Sequence, residues 1–219
     1  MKENGELTAQ GLRERFRAIP KDIRDANQSF GIRIWRGLSW LERAEQATDA
    51  DEQFIALWIA FNAIYGRVES EAGRNGDRGT WQAFIADVAK LDTSDRLGDL
   101  VQRNKTSILR LINNKYLFRP FWGKQADAAL RLRKASTLAV VHLSNHLTTG
   151  VLQELFERLY VLRQQVFHGA ATRGSKLNRP TLRLGAEVML RLLPGIIATM
   201  LDAGPSVNWG EVCFPPVAE

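Results

Sequence analysis

Between Phe54 and Tyr65 the large apolar residues fall at threes and fours: Phe54, Leu57, Trp58, Phe61, Ile64 and Tyr65. That spacing gathers them on one side of an α-helix, whereas a strand would scatter them over two faces. A central core helix is the result. The preceding Thr48-Asp49-Ala50-Asp51-Glu52 makes a good start for it, because short polar side chains cap free N–H groups and carboxylates suit the positive end of the dipole. Gly66 is a natural stop. Helical spacing recurs along the whole chain and strand alternation does not, so the expected class is all-α, an up-and-down bundle with additional N-terminal and C-terminal helices.

The other elements follow from the same reasoning. An amphipathic segment from Leu7 to Ile19 must end at Pro20. A second runs from Asp22 to Gln46, with Ile34, Trp35, Leu38 and Leu41 as its apolar stripe. Residues 69–79 read as a Gly-rich, charged loop, followed by a helix from Thr80 to Leu91. Thr93 and Ser94 offer caps for a helix carried to Leu117, which Phe118 to Gly123 must break. Residues 126–147 are helical again. After Gly150, the rhythm of Leu152, Leu155, Leu159, Leu162 and Val166 is that of a bundle seam, ended by His168-Gly169. A polar loop from Thr172 to Pro180 leads to a last helix over Thr181–Leu201, bent near Pro194-Gly195. The tail from Pro205 should be extended and packed on the body.

At 219 residues the chain has the size of one domain. MKENGELTAQ is polar, and the most apolar segment, Met189 to Leu201, is interrupted and too short for a bilayer, so a cytoplasmic protein that does not engage a membrane is expected. A lone cysteine, Cys213, excludes an internal disulfide and a cysteine-built metal site. Charge is unevenly spread. Residues 1–102 carry 14 Lys/Arg against 17 Asp/Glu, a net of −3, and residues 103–219 carry 16 against 7, a net of +9. Arg103 to Lys134 holds nine basic side chains and only Asp127 as an acid. Such a field attracts polyanions; a solvated basic surface, or pairing with the acidic half, explains it equally well.

Neither phosphate-binding glycine motif is present, nor a G-x-S-x-G elbow. His142 and His146 are four apart on an expected helix and face one side, but no third ligand is evident and no metal or other cofactor is expected. His168 stands differently, in Leu162-Arg163-Gln164-Gln165-Val166-Phe167-His168-Gly169. Cleaving RNA through its own 2′-hydroxyl needs a base, an acid and cationic donors on the phosphate, which imidazole and guanidinium supply without a metal. Residues five apart point about 140° from one another on an unbroken helix, so Arg163 and His168 converge only if the helix ends or distorts near Phe167. One imidazole does not readily serve both the attacking and the departing oxygen. A two-fold dimer supplies the second. As a bare pattern, the same two residues also fit a surface cation and a helix C-terminal cap.

LRQQVFHG resembles the signature of HEPN domains (higher eukaryotes and prokaryotes nucleotide-binding), whose R-x(4–6)-H motif lies near a helix end. FIALWIAFNAIYG resembles the aromatic helix of bacterial members related to the Apea group. The likeness covers about residues 50–202 of a single HEPN-like domain, with residues 1–49 as a helical extension and 203–219 as a tail. It implies a helical bundle with a composite site across a homodimer, Arg163 and His168 as the catalytic pair, and metal-independent cleavage leaving a 2′,3′-cyclic phosphate. It also implies a toxin or phage-defence role, with an antitoxin or regulatory protein as a further partner. Family members often carry Asn, Asp or His after the arginine, where this chain has Gln164, and some toxin members carry Tyr where it has Ala170. Gln164 is expected to orient the site, and Arg158, Arg173, Lys176 and Arg179 to contact the RNA backbone. The rival readings are a non-catalytic HEPN-like module binding nucleotide or RNA or serving as an adaptor, and a structural protein whose basic face docks an acidic partner.

Overall fold

The computed structural model describes residues 7–68, 76–170, 172 and 178–216, which form eleven α-helices, one 3₁₀ turn and, among these residues, no strand. The all-α bundle expected from the sequence is what is found. A single antiparallel bridge joins Arg67 to Val212.

The helices are α1 Ala9–Ala18, α2 Lys21–Ala26, α3 Gln28–Glu45, α4 Ala50–Tyr65, α5 Gly76–Leu91, α6 Arg96–Arg103, α7 Lys105–Ile112, α8 Arg119–Trp122, α9 Ala128–Ser144, α10 Thr148–Phe167 and α11 Arg179–Ala203, with the 3₁₀ turn at Lys115–Leu117. Asp49 caps α4 by accepting the Glu52 N–H at 2.9 Å. The long helix expected over 22–46 divides at Asn27, whose Oδ1 accepts the Phe30 N–H at 2.9 Å and whose Nδ2 donates to the Pro205 carbonyl at 2.8 Å. The helix expected to reach Leu117 divides at Asn104, whose amide donates to the Leu100 carbonyl at 2.8 Å and accepts from Arg191 at 2.9 Å. Short amides compete with the backbone ladder, which is why both breaks fall on asparagine. Its start is held by neither Thr93 nor Ser94 but by Asp92, which accepts the Leu97 N–H at 2.6 Å. α5 begins at Gly76, inside the segment expected to be loop, and Arg78 there donates to Glu157 of α10 at 2.8 Å.

α3 and α4 pack side by side, and a Cβ on Gly37 would sit 2.6 Å from Ile64 Cγ2, so only glycine permits this approach. Phe61 of α4 meets Phe156 of α10 with ring centroids 4.5 Å apart, and Trp58 meets Tyr160 at 6.0 Å. This aromatic cluster fixes α10 against the core helix. Phe30, Ile34, Leu38 and Leu41 of α3 lie fully buried in the same apolar core.

α11 runs through Pro194, whose ring removes the bond to the Leu190 carbonyl. It extends well beyond Met189–Leu201. By length and composition it could cross a membrane, with a mean hydropathy of 1.6, yet 78% of that window is buried inside the molecule. It is a core helix here. The tail packs as expected: Trp209 is buried, faces Phe30 at 6.4 Å, and donates to the Gly204 carbonyl at 3.0 Å.

Candidate active site at the end of α10

The last turn of α10 closes with a left-handed glycine. Gly169 has φ +68°, its N–H reaches the Val166 carbonyl at 3.2 Å, and the Ala170 N–H reaches that of Gln165 at 2.9 Å. This pair of bonds is a Schellman cap, and it makes His168 the C-cap residue. The His168 side chain is exposed, with no hydrogen bond or ion pair among the described residues.

Arg163 is half-buried. Its guanidinium lies 4.9 Å over the Phe167 ring, one turn on, and its Nε is buried without a hydrogen-bond partner among the described residues. The helix thus ends where expected, but stays regular up to Phe167. His168, with φ −92° and ψ 12°, leaves the helical path only at its carbonyl side. The two side chains therefore keep their divergence of about 140°, and no hydrogen bond joins them. Within one chain the pair shares a helix end and not a common pocket. Gln164 is held by Arg119, whose Nη2 donates to its Oε1 at 3.4 Å, while Gln165 donates to the Tyr116 carbonyl at 2.7 Å.

The expected backbone contacts fare differently. Arg158 is 1% exposed, which withdraws it as a phosphate ligand. Its Nε donates to the Ile112 carbonyl at 3.1 Å, Nη2 pairs with Glu154 at 3.3 Å, and the guanidinium lies 4.7 Å over Phe118. Burial pushes its pKa down, with Glu154 and Glu157 opposing. It is an internal brace that ties α10 to the end of α7 and to Phe118. Arg158→Met should lower stability by about 2 kcal/mol, because the Ile112 carbonyl loses its donor and Glu154 its ion-pair partner. Urea denaturation would show the loss. Arg179 is not free for phosphate either, since it donates to Asp51 at 2.5 Å and both are mostly buried. Arg173 and Lys176 lie outside the described residues.

His142 and His146 do not share a helix face. α9 ends at Ser144, Asn145 bonds back to the Val141 carbonyl at 2.9 Å, and His146 turns to φ +54°. The His142 ring instead packs against Gly150, where a Cβ would stand 2.3 Å from Nδ1.

What sequence reading treated only as a break, Phe118 to Gly123, proves to be a neighbour of the site. Lys115 and Arg119 are exposed there beside Tyr116, Phe121 and Trp122. The signal was legible in Lys115-Tyr116-Leu117-Phe118-Arg119-Pro120-Phe121-Trp122, where bases and aromatics interleave. Compared with protein-family models, curated proteins and solved structures, the chain finds no match, so the functional reading rests on these side chains.

Proposed function

We propose that the chain is a HEPN-like, metal-independent endoribonuclease of the cytoplasm, acting as a homodimer whose two α10 ends meet over one scissile phosphate. The observation that carries this reading is an exposed imidazole at a helix C-cap, five residues after an arginine whose buried Nε has no hydrogen-bond partner among the described residues. Exposed Lys115 and Arg119 stand in the neighbouring segment, from which Arg119 reaches Gln164. In the proposed step the 2′-oxygen attacks phosphorus and its proton passes to His168 of one protomer. The bond from phosphorus to the 5′-oxygen breaks, and the second protomer's imidazole protonates the departing oxygen. The products are a 2′,3′-cyclic phosphate and a 5′-hydroxyl. Arg163, swung off Phe167, would neutralise the phosphate oxygens as charge grows on them.

Divergence of Arg163 and His168 within a chain supports the dimeric form, since a second copy can present its arginine from the other side. The outer face of α9 adds to this, with Leu130, Leu138 and Val141 about half exposed. Apolar side chains in such a row favour a partner surface. Purified protein should cleave single-stranded RNA in EDTA and leave cyclic phosphate ends, read by end-group analysis. Salt-sensitive binding without cleavage would replace this reading by the non-catalytic RNA-binding one, which the exposed basic and aromatic residues also favour. A toxin or defence role, with a controlling partner, extends the proposal.

A further inference from the structure

Trp122 is 55% exposed and Tyr116 is 42% exposed, yet both are held in place. Trp122 Nε1 donates to the Tyr116 carbonyl at 2.8 Å, and Gln165 Nε2 donates to the same oxygen at 2.7 Å. Phe121 stands edge-on to both rings, at 5.4 Å from Tyr116 and 5.3 Å from Trp122. Lys115 Nζ lies 5.0 Å over Tyr116. Beneath them, Phe118 is buried under the Arg158 guanidinium. A tryptophan whose N–H is satisfied by the backbone presents only its apolar faces outward. It is a rigid flat surface in a basic setting.

The segment that carries these rings is attached to the arc of α10 between Gln164 and Gln165. Taking about 100° per residue from Arg163, Gln164 points at about 100°, His168 at about 140° and Gln165 at about 200°. Arg119 holds Gln164 and Tyr116 holds Gln165, so these two attachment points bracket the direction in which the Cα–Cβ bond of His168 leaves the helix. Trp122 lines one small cavity, of about 100 Å³, with Leu162, Gln165, Val166 and Ala170, which places it at the Gln165 edge of that arc.

We infer that Tyr116, Phe121 and Trp122 form a stacking subsite for an unpaired base of the RNA, next to the phosphate that His168 addresses. Every base has a flat π face, and only an unpaired one can leave its neighbours to lie on a protein ring. Lys115 and Arg119 would hold the backbone on either side. The substrate class is therefore single-stranded RNA, with a duplex excluded because its bases are already stacked. The inference rests on the ribonuclease reading for its location, and its test separates the two.

The probe is a short fluorescein-labelled oligouridylate, free or annealed to oligoadenylate, bound to full-length protein carrying His168→Ala so that it stays intact. Single strand should bind at least about tenfold tighter than duplex, and Trp122→Ala should weaken single-strand binding about tenfold, within the range for loss of one stacked base. Trp122→Phe should restore most of that loss, and circular dichroism should show all variants folded. Should Trp122→Ala unfold, Tyr116→Ala provides the same reading. Unchanged single-strand affinity in the folded variant, or equal affinity for duplex, overturns the inference, and a surface reserved for a protein partner would give that result. Trp122-dependent binding without any cleavage by wild type keeps the subsite and removes the ribonuclease. Cleavage by wild type with no Trp122 dependence does the reverse.

Discussion

Replacing His168 by alanine should slow RNA cleavage at least about ten-thousandfold, because both protomers lose it and the proposed site loses acid and base together, each worth about a hundred- to ten-thousandfold. The fold should survive, since the side chain is exposed and the cap is built from backbone bonds and Gly169. Arg163→Ala should cost about a hundredfold, as expected for one donor to a charge that develops in the transition state. Arg163→Lys should recover little, because a point charge does not reproduce two parallel N–H donors. The proposed composite site gives a sharper outcome. Excess His168→Ala protein added to wild type should suppress cleavage, because mixed dimers hold a single imidazole. A site complete within one chain would be unaffected by the addition. Equal rates for wild type and His168→Ala would end the catalytic assignment.

Arg33→Ala should lower stability by about 4 kcal/mol, the largest effect expected of a residue remote from the site. Arg33 on α3 is fully buried. Its Nη1 donates to the Ile64 carbonyl at 3.0 Å and the Gly66 carbonyl at 2.5 Å, and its Nη2 to the Gly210 carbonyl at 3.1 Å. One guanidinium thus ties together α3, the C-terminal end of α4 and the tail. Burial pushes its pKa down to about 10, so the group is still charged at neutral pH. Truncation leaves three carbonyls short of a donor, each worth about 1–3 kcal/mol, and opens a cavity, although such terms do not add fully. Urea denaturation should show a lower midpoint with an unchanged slope. Arg33→Lys should recover less than half of the loss, since an ammonium cannot span the same fork. A loss under about 1 kcal/mol would mean that water replaces these bonds.

Arg33 and Arg158 mark where sequence reading stopped. Both look like surface cations in a helical chain, and Arg158 belongs to the basic half, residues 103–219, that suggested a polyanion partner. Nothing within a few residues of either reveals that a carbonyl from another helix awaits it. Arg179 is the same case, because its partner Asp51 is 128 residues away. Charge counts see the residues; only packing says which charges are spent internally.

Helix class, the Asp49 cap, the seam of α10 and its end at His168-Gly169 were settled by local pattern, since hydrogen-bond periodicity and capping act within a few residues of themselves. The tertiary structure alone decided that Asn27 and Asn104 interrupt longer helices, that Arg158 braces rather than binds, and that Tyr116, Phe121 and Trp122 stand beside the His168 end of α10. Each of those depends on groups brought together across long stretches of chain, and burial of such a group is a property of the assembled core rather than of its neighbours in sequence.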